Sequence, residues 1–346
     1  MSLIETGPYS STPERPRILN SRTISFSSFT ETFREVFESG PDTTFGTYNP
    51  SSAFINPPDL YRAVRVDSSD GRTKSIIFKY TEEGLQPYLE RTFDLEDPFA
   101  SNIDDEIVFG GVAVDKSFDD IGRVVSRWRT ILYRGATISE LRPFFTGPEG
   151  MKDIRLIKRP NNKIGVYTRP RSPENEELGG NGQIGYTEFA SLDEIEQSSP
   201  SALEIQNAPL LSFRFQKGQW GGVNHAQIIE NGRYKNWNLL LVHKAYKDNS
   251  RHYCAGGLLH NPETGKVIDL GTLVKRSDLP QGPWKGQEES EDLKDVFFPT
   301  ELTLDGNKAR IIGGMSDAEI GEAEILNPLQ IAAQHDKDNR FLILDG

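Results

Sequence analysis

The stretch "DPFASNID", residues 97–104, carries the pattern that decides the fold. It begins with a polar residue before a proline, alternates for about six residues and ends in an Asn/Asp turn, which is typical of the first strand of a β-hairpin. Four more segments share most of this pattern, and four of the five segments begin with a polar residue. They are "NPSSAFIN" (49–56), "DIRLIKRPN" (153–161, one residue longer), "NHAQIIEN" (224–231) and "FPTELTLD" (298–305).

A second strand follows each of these turns, as in "LYRAVRV" (60–66) and "WNLLLVHK" (237–244). Successive segments start 48, 56, 71 and 74 residues apart, and further strands such as "KSIIFKY" lie between them. Hairpins repeated at this spacing predict an all-β fold, a five-bladed β-propeller. An irregular all-β sandwich is the alternative, because Asn/Asp turns between strands are common there too.

Helical periodicity is confined to a short N-terminal segment. "SSFTETFREVFESG" (27–40) spaces Phe29, Phe33, Val36 and Phe37 as on one face of a helix, with Gly40 as its end. Composition does not change along the chain in a way that marks a linker. We therefore expect one propeller domain over residues 1–346, with residues 1–40 as an N-terminal extension that carries the helix.

Composition excludes several classes of function. The net charge is −12 and there is no long basic run, so nucleic acid is not an expected partner. Cys254 is the only cysteine, which excludes a disulfide framework, and no acidic residue is spaced with the histidines as a metal site requires, so we expect no metal. No apolar run is long enough for a membrane span and the N-terminus lacks a signal-peptide core, so we expect a cytoplasmic protein.

The propeller hypothesis predicts where a binding site lies. The innermost strand of each blade lines the central channel, so the first residues of the five segments would surround one mouth of it. These residues are Asn49, Asp97, Asp153, Asn224 and Phe298. Side chains alternate along a strand, so Glu96 and Asp97 cannot both face the channel in regular geometry. Asp97 is then the candidate catalytic acid and Glu96 a bystander; alternatively, Asp97 is only a turn residue before Pro98.

Several motifs, taken in order, resemble glycoside hydrolase family 130, the inverting β-mannoside phosphorylases. "YNPSSAFI…LYRAVRV", "LEDPFAS…DDEIVFGGVAV" and "MKDIRLIKRPNNKIGVYTRP" are similar to its first three blades. "NWNLLLVHKAY" and "DVFFPTELTLDGNKARIIGGMSDAEIGEAEI" are similar to its last two. The resemblance spans roughly residues 45–326 and extends to the related proteins that combine mannosyltransferase and phosphorylase activity (mannogen). It implies a five-bladed propeller independently of the repeat.

The resemblance also implies roles for individual residues. Asp97 matches the catalytic acid, which in that family acts through a sugar hydroxyl. Substrate-binding positions match Asn49, Arg62 and Asp317, to which the channel argument adds Asp153. Phosphate-binding positions match Lys152, Arg169 and His243. One departure is Trp220, which stands where the family has a phosphate-binding lysine; His225 or Lys244 would have to substitute for it.

The sequence therefore favours a carbohydrate-active enzyme that phosphorolyses or transfers β-linked mannosyl units. Its expected co-substrate is inorganic phosphate or mannose 1-phosphate, with no other cofactor, and its expected partner is an oligosaccharide or β-mannoside. A homo-oligomer is left open. Two alternatives remain: a glycoside hydrolase that uses water, with Asp153 or Glu301 as its second acid, and a non-catalytic carbohydrate-binding propeller.

Overall fold

Antiparallel β-strands make up most of the protein. The computed structural model describes residues 15–118, 124–170, 182–197, 199–285 and 291–333. Residues 1–14 of the predicted N-terminal extension lie outside this range. Within the described residues, no helix is both long and apolar enough to cross a membrane.

Among the described residues the strands lie in four sheets, one of which combines two antiparallel groups, so we distinguish five antiparallel sets. The first set is β2 (Phe45–Tyr48), β3 (Phe54–Asn56), β4 (Asp59–Ser68), β5 (Thr73–Thr81) and β6 (Gly84–Phe93). The second is β7 (Glu96–Ile103), β8 (Glu106–Phe118), β9 (Val124–Gly135) and β10 (Arg142–Thr146). The third is β11 (Arg155–Lys158), β12 (Ile164–Thr168) and β13 (Gly185–Phe189).

The last two sets are linked to each other and to the start of the chain. The fourth set is β14 (Gln219–Ile228), β15 (Asn238–Lys247), β16 (Arg251–Asn261) and β17 (Lys266–Lys275). The fifth is β18 (Asp295–Asp305), β19 (Lys308–Met315), β20 (Glu319–Leu326) and the N-terminal strand β1 (Ile18–Ile24). β16 and β18 pair in parallel at His252↔Asp295 and Tyr253↔Val296, which joins these two sets into one sheet.

A hydrophobic cluster lies between each set and the next. Burying one large apolar side chain contributes about 1.5–3 kcal/mol, so these clusters supply most of the driving force that holds the sets together. Representative members of each cluster, one from either side, are Ala63 and Phe109 (first and second sets), Leu132 and Val166 (second and third), Tyr167 and Leu240 (third and fourth), Leu259 and Ile311 (fourth and fifth), and Ile312 and Phe78 (fifth and first).

The predicted N-terminal helix is confirmed. A 3-10 turn (Ser27–Phe29) leads into α1 (Thr30–Phe37), which buries Phe33 and Phe37 in the cluster between the fifth and first sets. The helix ends at Glu38, whose φ of 49° is left-handed, and not at Gly40. Two helices that the sequence reading missed, α2 (Leu192–Gln197) and α3 (Ser199–Gln206), cover the third set.

The parallel link between β16 and β18 carries an ionisable contact. His252 Nδ1 lies 2.7 Å from Asp295 Oδ2, and its Nε2 lies 3.0 Å from Asp248 Oδ1. Both ring nitrogens donate only when the imidazole is protonated. Partial burial lowers the pKa of His252, but the hydrogen bonds to Asp295 and Asp248 outweigh it, so the net shift is upward.

We predict that this contact stabilises the fold below neutral pH. A raised folded-state pKa gives stability that is complete below the unfolded pKa of about 6.5 and is lost as pH rises through the folded value. His252→Gln should lower the free energy of unfolding by up to about 1 kcal/mol at about pH 5 and have almost no effect at about pH 9. Urea unfolding of both proteins at both pH values measures this. Asp295→Asn should show the same trend, and a difference that does not change with pH would contradict the prediction.

Candidate active site

The first residues of the hairpin segments converge, as the sequence predicted. Asn49, Asp97, Asn224 and Phe298 all line one small gap between the sets. Asp153 adjoins them, since Asn224 accepts a hydrogen bond from His243, whose Nε2 lies 3.9 Å from Asp153. Residues from distant parts of the sequence therefore meet at one place.

These residues depart from regular strand geometry. Asn49, Asp97 and Asp153 have φ values of 45°, 48° and 64°, which place them in the left-handed region that Asn and Asp tolerate better than other side chains. Asn224 lies at a register shift between Val223 and His225. Such local distortions aim side chains away from the regular alternation and are typical of functional sites.

A cavity of about 840 Å³ opens beside these first residues of the segments. That size suits an oligosaccharide or another ligand of similar bulk. Its wall combines two carboxyl groups, four cationic side chains and two tryptophans. The charged and aromatic residues that line it are Glu96, Asp97, Lys116, Lys152, Arg169, Arg251, Trp128 and Trp220.

Asp97 is a buried carboxylate on this wall. Its Oδ1 accepts hydrogen bonds from Asn49 Nδ2 at 2.7 Å and from Arg65 Nη1 at 3.0 Å. Burial alone would raise the pKa of Asp97, but Arg65, Lys152 and the Asn49 amide hold it below its usual range. Asp97 is therefore ionised at neutral pH in the unliganded protein.

Glu96 also lines the cavity, so the prediction that only one of the two carboxylates faces it was wrong. The alternation rule fails here because Asp97 has a positive φ and the register shifts between Glu96 and Phe99. Glu96 Oε2 lies 3.1 Å from the same Arg65 Nη1 that binds Asp97. Burial raises the pKa of Glu96, and the charge of Asp97 adds to this, while Arg65 opposes it.

Arg65 is the central residue that the sequence reading missed. Besides Glu96 and Asp97, it donates two hydrogen bonds to Asp67, at 2.9 and 3.1 Å, and its guanidinium lies over the Tyr48 ring at 4.8 Å. A buried arginine in an apolar strand needs carboxylate partners, because an unpaired buried charge is costly. The pattern "RAVRV" in β4 therefore held a signal that could have identified it.

A second ionic cluster lies next to the first. Arg169 Nη1 donates to Asp153 Oδ2 at 2.8 Å, and both side chains are buried. Burial opposes ionisation of Asp153, yet the positive groups around it, Arg169 among them, keep its pKa well below the usual range. Arg169 itself reaches the cavity wall, as Lys152 does, so these two cations of the predicted phosphate set come together.

His243 behaves differently from the prediction of a phosphate-binding cation. It is buried behind Asp153, does not line the cavity and donates through Nδ1 to Asn224 Oδ1 at 2.7 Å. Burial lowers the pKa of His243 to about 3 against the attraction of Asp153, so the ring is neutral. Its ring lies against Tyr253 and Phe298. In this structure it supports Asp153 and Asn224 from behind.

Five further predicted residues do not line the cavity: Asn49 and Asp153, which adjoin it as described above, and Arg62, His225 and Asp317. Arg62 is buried and uses its nitrogens on Ser51 O, Tyr80 Oη and Glu301. His225 lies instead at a separate space of about 180 Å³, because the register shift before it turns it away. Asp317 lies near Arg65 and Asp97, and burial raises its pKa, but it is not part of the wall.

The two tryptophans form the aromatic part of the cavity wall. Trp220 is held by a hydrogen bond from Nε1 to Tyr253 Oη at 3.2 Å. Lys244, which could have replaced the family's lysine, binds Asp269 at 2.8 Å instead. No three His, Cys, Asp or Glu side chains gather as a metal site among the described residues.

Comparison with known proteins places the chain in a family. The profile of DUF1861, a protein family of unknown function, matches residues 31–331. The chain belongs to the DUF1861 family. A search of curated proteins found no match.

Solved structures similar to this DUF1861 protein include mannoside-active enzymes. A mannose phosphorylase from Leishmania mexicana in complex with phosphate ion has a TM-score of 0.70 and 24% identity, covering 88% of this chain and 94% of that one. A GDP-Man-dependent mannosyltransferase from the same organism has a TM-score of 0.68 and 23% identity, covering 87% and 95%. A β-1,2-mannobiose phosphorylase from Listeria innocua has a TM-score of 0.58 and 13% identity, covering 86% and 95%.

The resemblance noted in the sequence is confirmed, since mannoside phosphorylases of glycoside hydrolase family 130 are among the structural neighbours of this DUF1861 protein. At these low identities the likeness establishes a common fold alone.

We predict that the DUF1861 site depends on Arg65 for its stability. Arg65→Met should lower the free energy of unfolding by about 3–5 kcal/mol, because it leaves buried carboxylates without their counter-ion. Arg127→Met is the control, since Arg127 is exposed and lies 3.8 Å from Glu149; it should cost less than about 1 kcal/mol. Denaturant unfolding measures both. Equal small losses would show that Arg65 is dispensable.

Proposed function

We propose that this protein is a carbohydrate-active enzyme that phosphorolyses β-linked mannosyl units with inversion, or transfers them from an activated donor such as mannose 1-phosphate. The observation that carries the proposal is one cavity whose lining includes the carboxyl group of Asp97 and the cations of Lys152 and Arg169. A phosphorylase needs acid catalysis and a cationic pocket for phosphate, and no second carboxylate to activate water.

The architecture we propose is one domain formed by a five-bladed β-propeller. Each of the five antiparallel sets would be a blade. The hydrophobic clusters support this, since they follow the order of the sets and the last one joins the fifth set back to the first. Asp97, the predicted catalytic acid, would then lie at one mouth of the central channel of the propeller.

The cations suit a phosphate oxyanion. Lys152 and Arg169 both line the cavity, and charge-assisted hydrogen bonds from such groups to phosphate are among the strong ones. His243 is neutral and does not belong to this set. A related structure named a mannose phosphorylase was solved with phosphate ion, which is consistent with the assignment.

The surroundings of Asp153 and Glu301 argue against a hydrolase that uses either of them as its base. An inverting hydrolase needs a second carboxylate free to activate water. Asp153 is held in its ion pair with Arg169, and Glu301 is held by Arg62 and the backbone N–H of Ala53. Neither lines the cavity, so neither is placed to act as that base.

The first test is turnover of β-1,2-mannobiose with and without phosphate. We expect mannose 1-phosphate only when phosphate is present, and a loss of about 10²- to 10⁴-fold in Asp97→Asn, which removes the negative charge that acid–base catalysis at this wall requires. Asp94→Asn is the control, because Asp94 is exposed and pairs with Lys74 at the surface. Free mannose regardless of phosphate would indicate a hydrolase, and binding without any turnover would indicate a carbohydrate-binding protein.

The second test concerns the phosphate pocket. Lys152→Gln should raise KM for phosphate by about 10- to 100-fold, the value of one lost charged hydrogen bond, with a smaller effect on KM for the mannoside. Lys158→Gln, on the same segment but paired with Asp104, should leave both constants unchanged. Steady-state kinetics with each substrate varied in turn measures this. An unchanged KM for phosphate in Lys152→Gln would remove Lys152 from the pocket.

A further inference from the structure

The two adjacent carboxyl groups of the cavity wall contact one and the same cation. Arg65 Nη1 lies 3.0 Å from Asp97 Oδ1 and 3.1 Å from Glu96 Oε2. Both side chains reach the cavity because of the positive φ at Asp97. Two carboxyls held this close do not ionise independently, since the charge on one disfavours the charge on the other.

Their surroundings differ in a way that favours Glu96 over Asp97 as the site of a proton. Asp97 receives hydrogen bonds from both Asn49 and Arg65, which favour its ionised form. Glu96 contacts Arg65 as well but receives no amide contact among the described residues, and burial and the charge of Asp97 raise its pKa against the attraction of Arg65. A pair of titratable groups whose surroundings push them apart in this way is the usual arrangement of an acid with its partner.

We propose that Glu96 and Asp97 act as a pair that holds one proton, and that Glu96 carries this proton to the glycosidic oxygen. This inference rests on the proposed phosphorylase function and deepens it, because the acid becomes the pair and not Asp97 alone. Asp97 remains ionised beside Arg65 and is required to keep the proton on Glu96.

The pair donates one proton during the reaction and recovers one proton at its end. An oxygen of HPO₄²⁻ forms a bond to the anomeric carbon as the glycosidic C–O bond breaks, and the electron pair of that bond stays on the leaving oxygen. The leaving oxygen takes the proton from Glu96. The monoprotonated mannose 1-phosphate then returns its proton to the pair, so no external acid is consumed. Arg65 and Lys152 offset the charge while both carboxyls are ionised.

The charged groups that face the pair come from several segments of the chain. Besides Arg65, they are Asp67 on β4, Lys152 before β11, Arg155 on β11 and Asp317 after β19. Lys152 and Arg155 favour the ionised pair, whereas Asp67 and Asp317 oppose it. Any measured pH dependence of the pair contains their contribution.

The deciding experiment compares two leaving groups. Glu96→Gln should lower kcat for phosphorolysis of β-1,2-mannobiose by about 10²- to 10⁴-fold. With 4-nitrophenyl β-mannoside, whose leaving group departs without protonation, the loss should shrink to less than about 10-fold. The alkaline decline of kcat/KM in the wild type should also disappear or shift in the variant. Glu90→Gln, an exposed glutamate on β6, is the control and should match the wild type on both substrates.

The outcomes separate the two proposals. A wild-type protein inactive on both mannosides overturns the proposed function and the inference with it. An active wild type with Glu96→Gln at full rate, or with equal losses on both substrates, overturns the role of Glu96 alone. If Glu96→Gln does not fold, as judged by circular dichroism, Glu96→Asp provides the same test, because it keeps the carboxyl and should shift the alkaline decline and retain part of the rate.

Discussion

The buried guanidinium of Arg65 is the interaction on which the site depends. It binds Asp67 from its own strand and Glu96 and Asp97 from the next set, so one cation ties two sets of strands together. Taking such charges out of water is expensive, and the arrangement is stable only because every partner is present at once. The same cation lowers the pKa of Asp97 and opposes the rise in the pKa of Glu96, so a change of Arg65 alters both the packing and the chemistry of the site.

The repeat explains why the site lies where the sets meet. Three of the first residues, Asn49, Asp97 and Asp153, have left-handed backbone conformations, and the other two, Asn224 and Phe298, lie at or next to register shifts within β14 and β18. Asn and Asp tolerate this conformation and also carry the polar groups that a binding site needs. One sequence feature thus serves the turn and the site together, which is why the repeat pointed at functional residues.

The sequence was informative about periodic features and about Asp97, and less so about side-chain direction. The all-β class, α1 and the convergence of Asn49, Asp97 and Asn224 followed from alternation and turn residues. The sequence did not show that Arg65, and not Arg62, contacts Asp97. Both arginines lie in the same apolar strand, and they differ in their partners, Glu301 for Arg62 and Asp97 for Arg65. Glu96 was misplaced because the rule of alternation fails at the register shift after it, whereas His225 was assigned from the resemblance alone and lies at a separate space.

The pairing of β1 with β20 brings the two ends of the described chain into one sheet. During synthesis, the strand that emerges early has no partner until the last strands have been made. Closing so long a loop is slow and leaves an unpaired edge exposed in the meantime. A newly made chain should therefore be most prone to aggregation just before β20 is released, and co-expression with a chaperone should matter more for its yield than for its final stability.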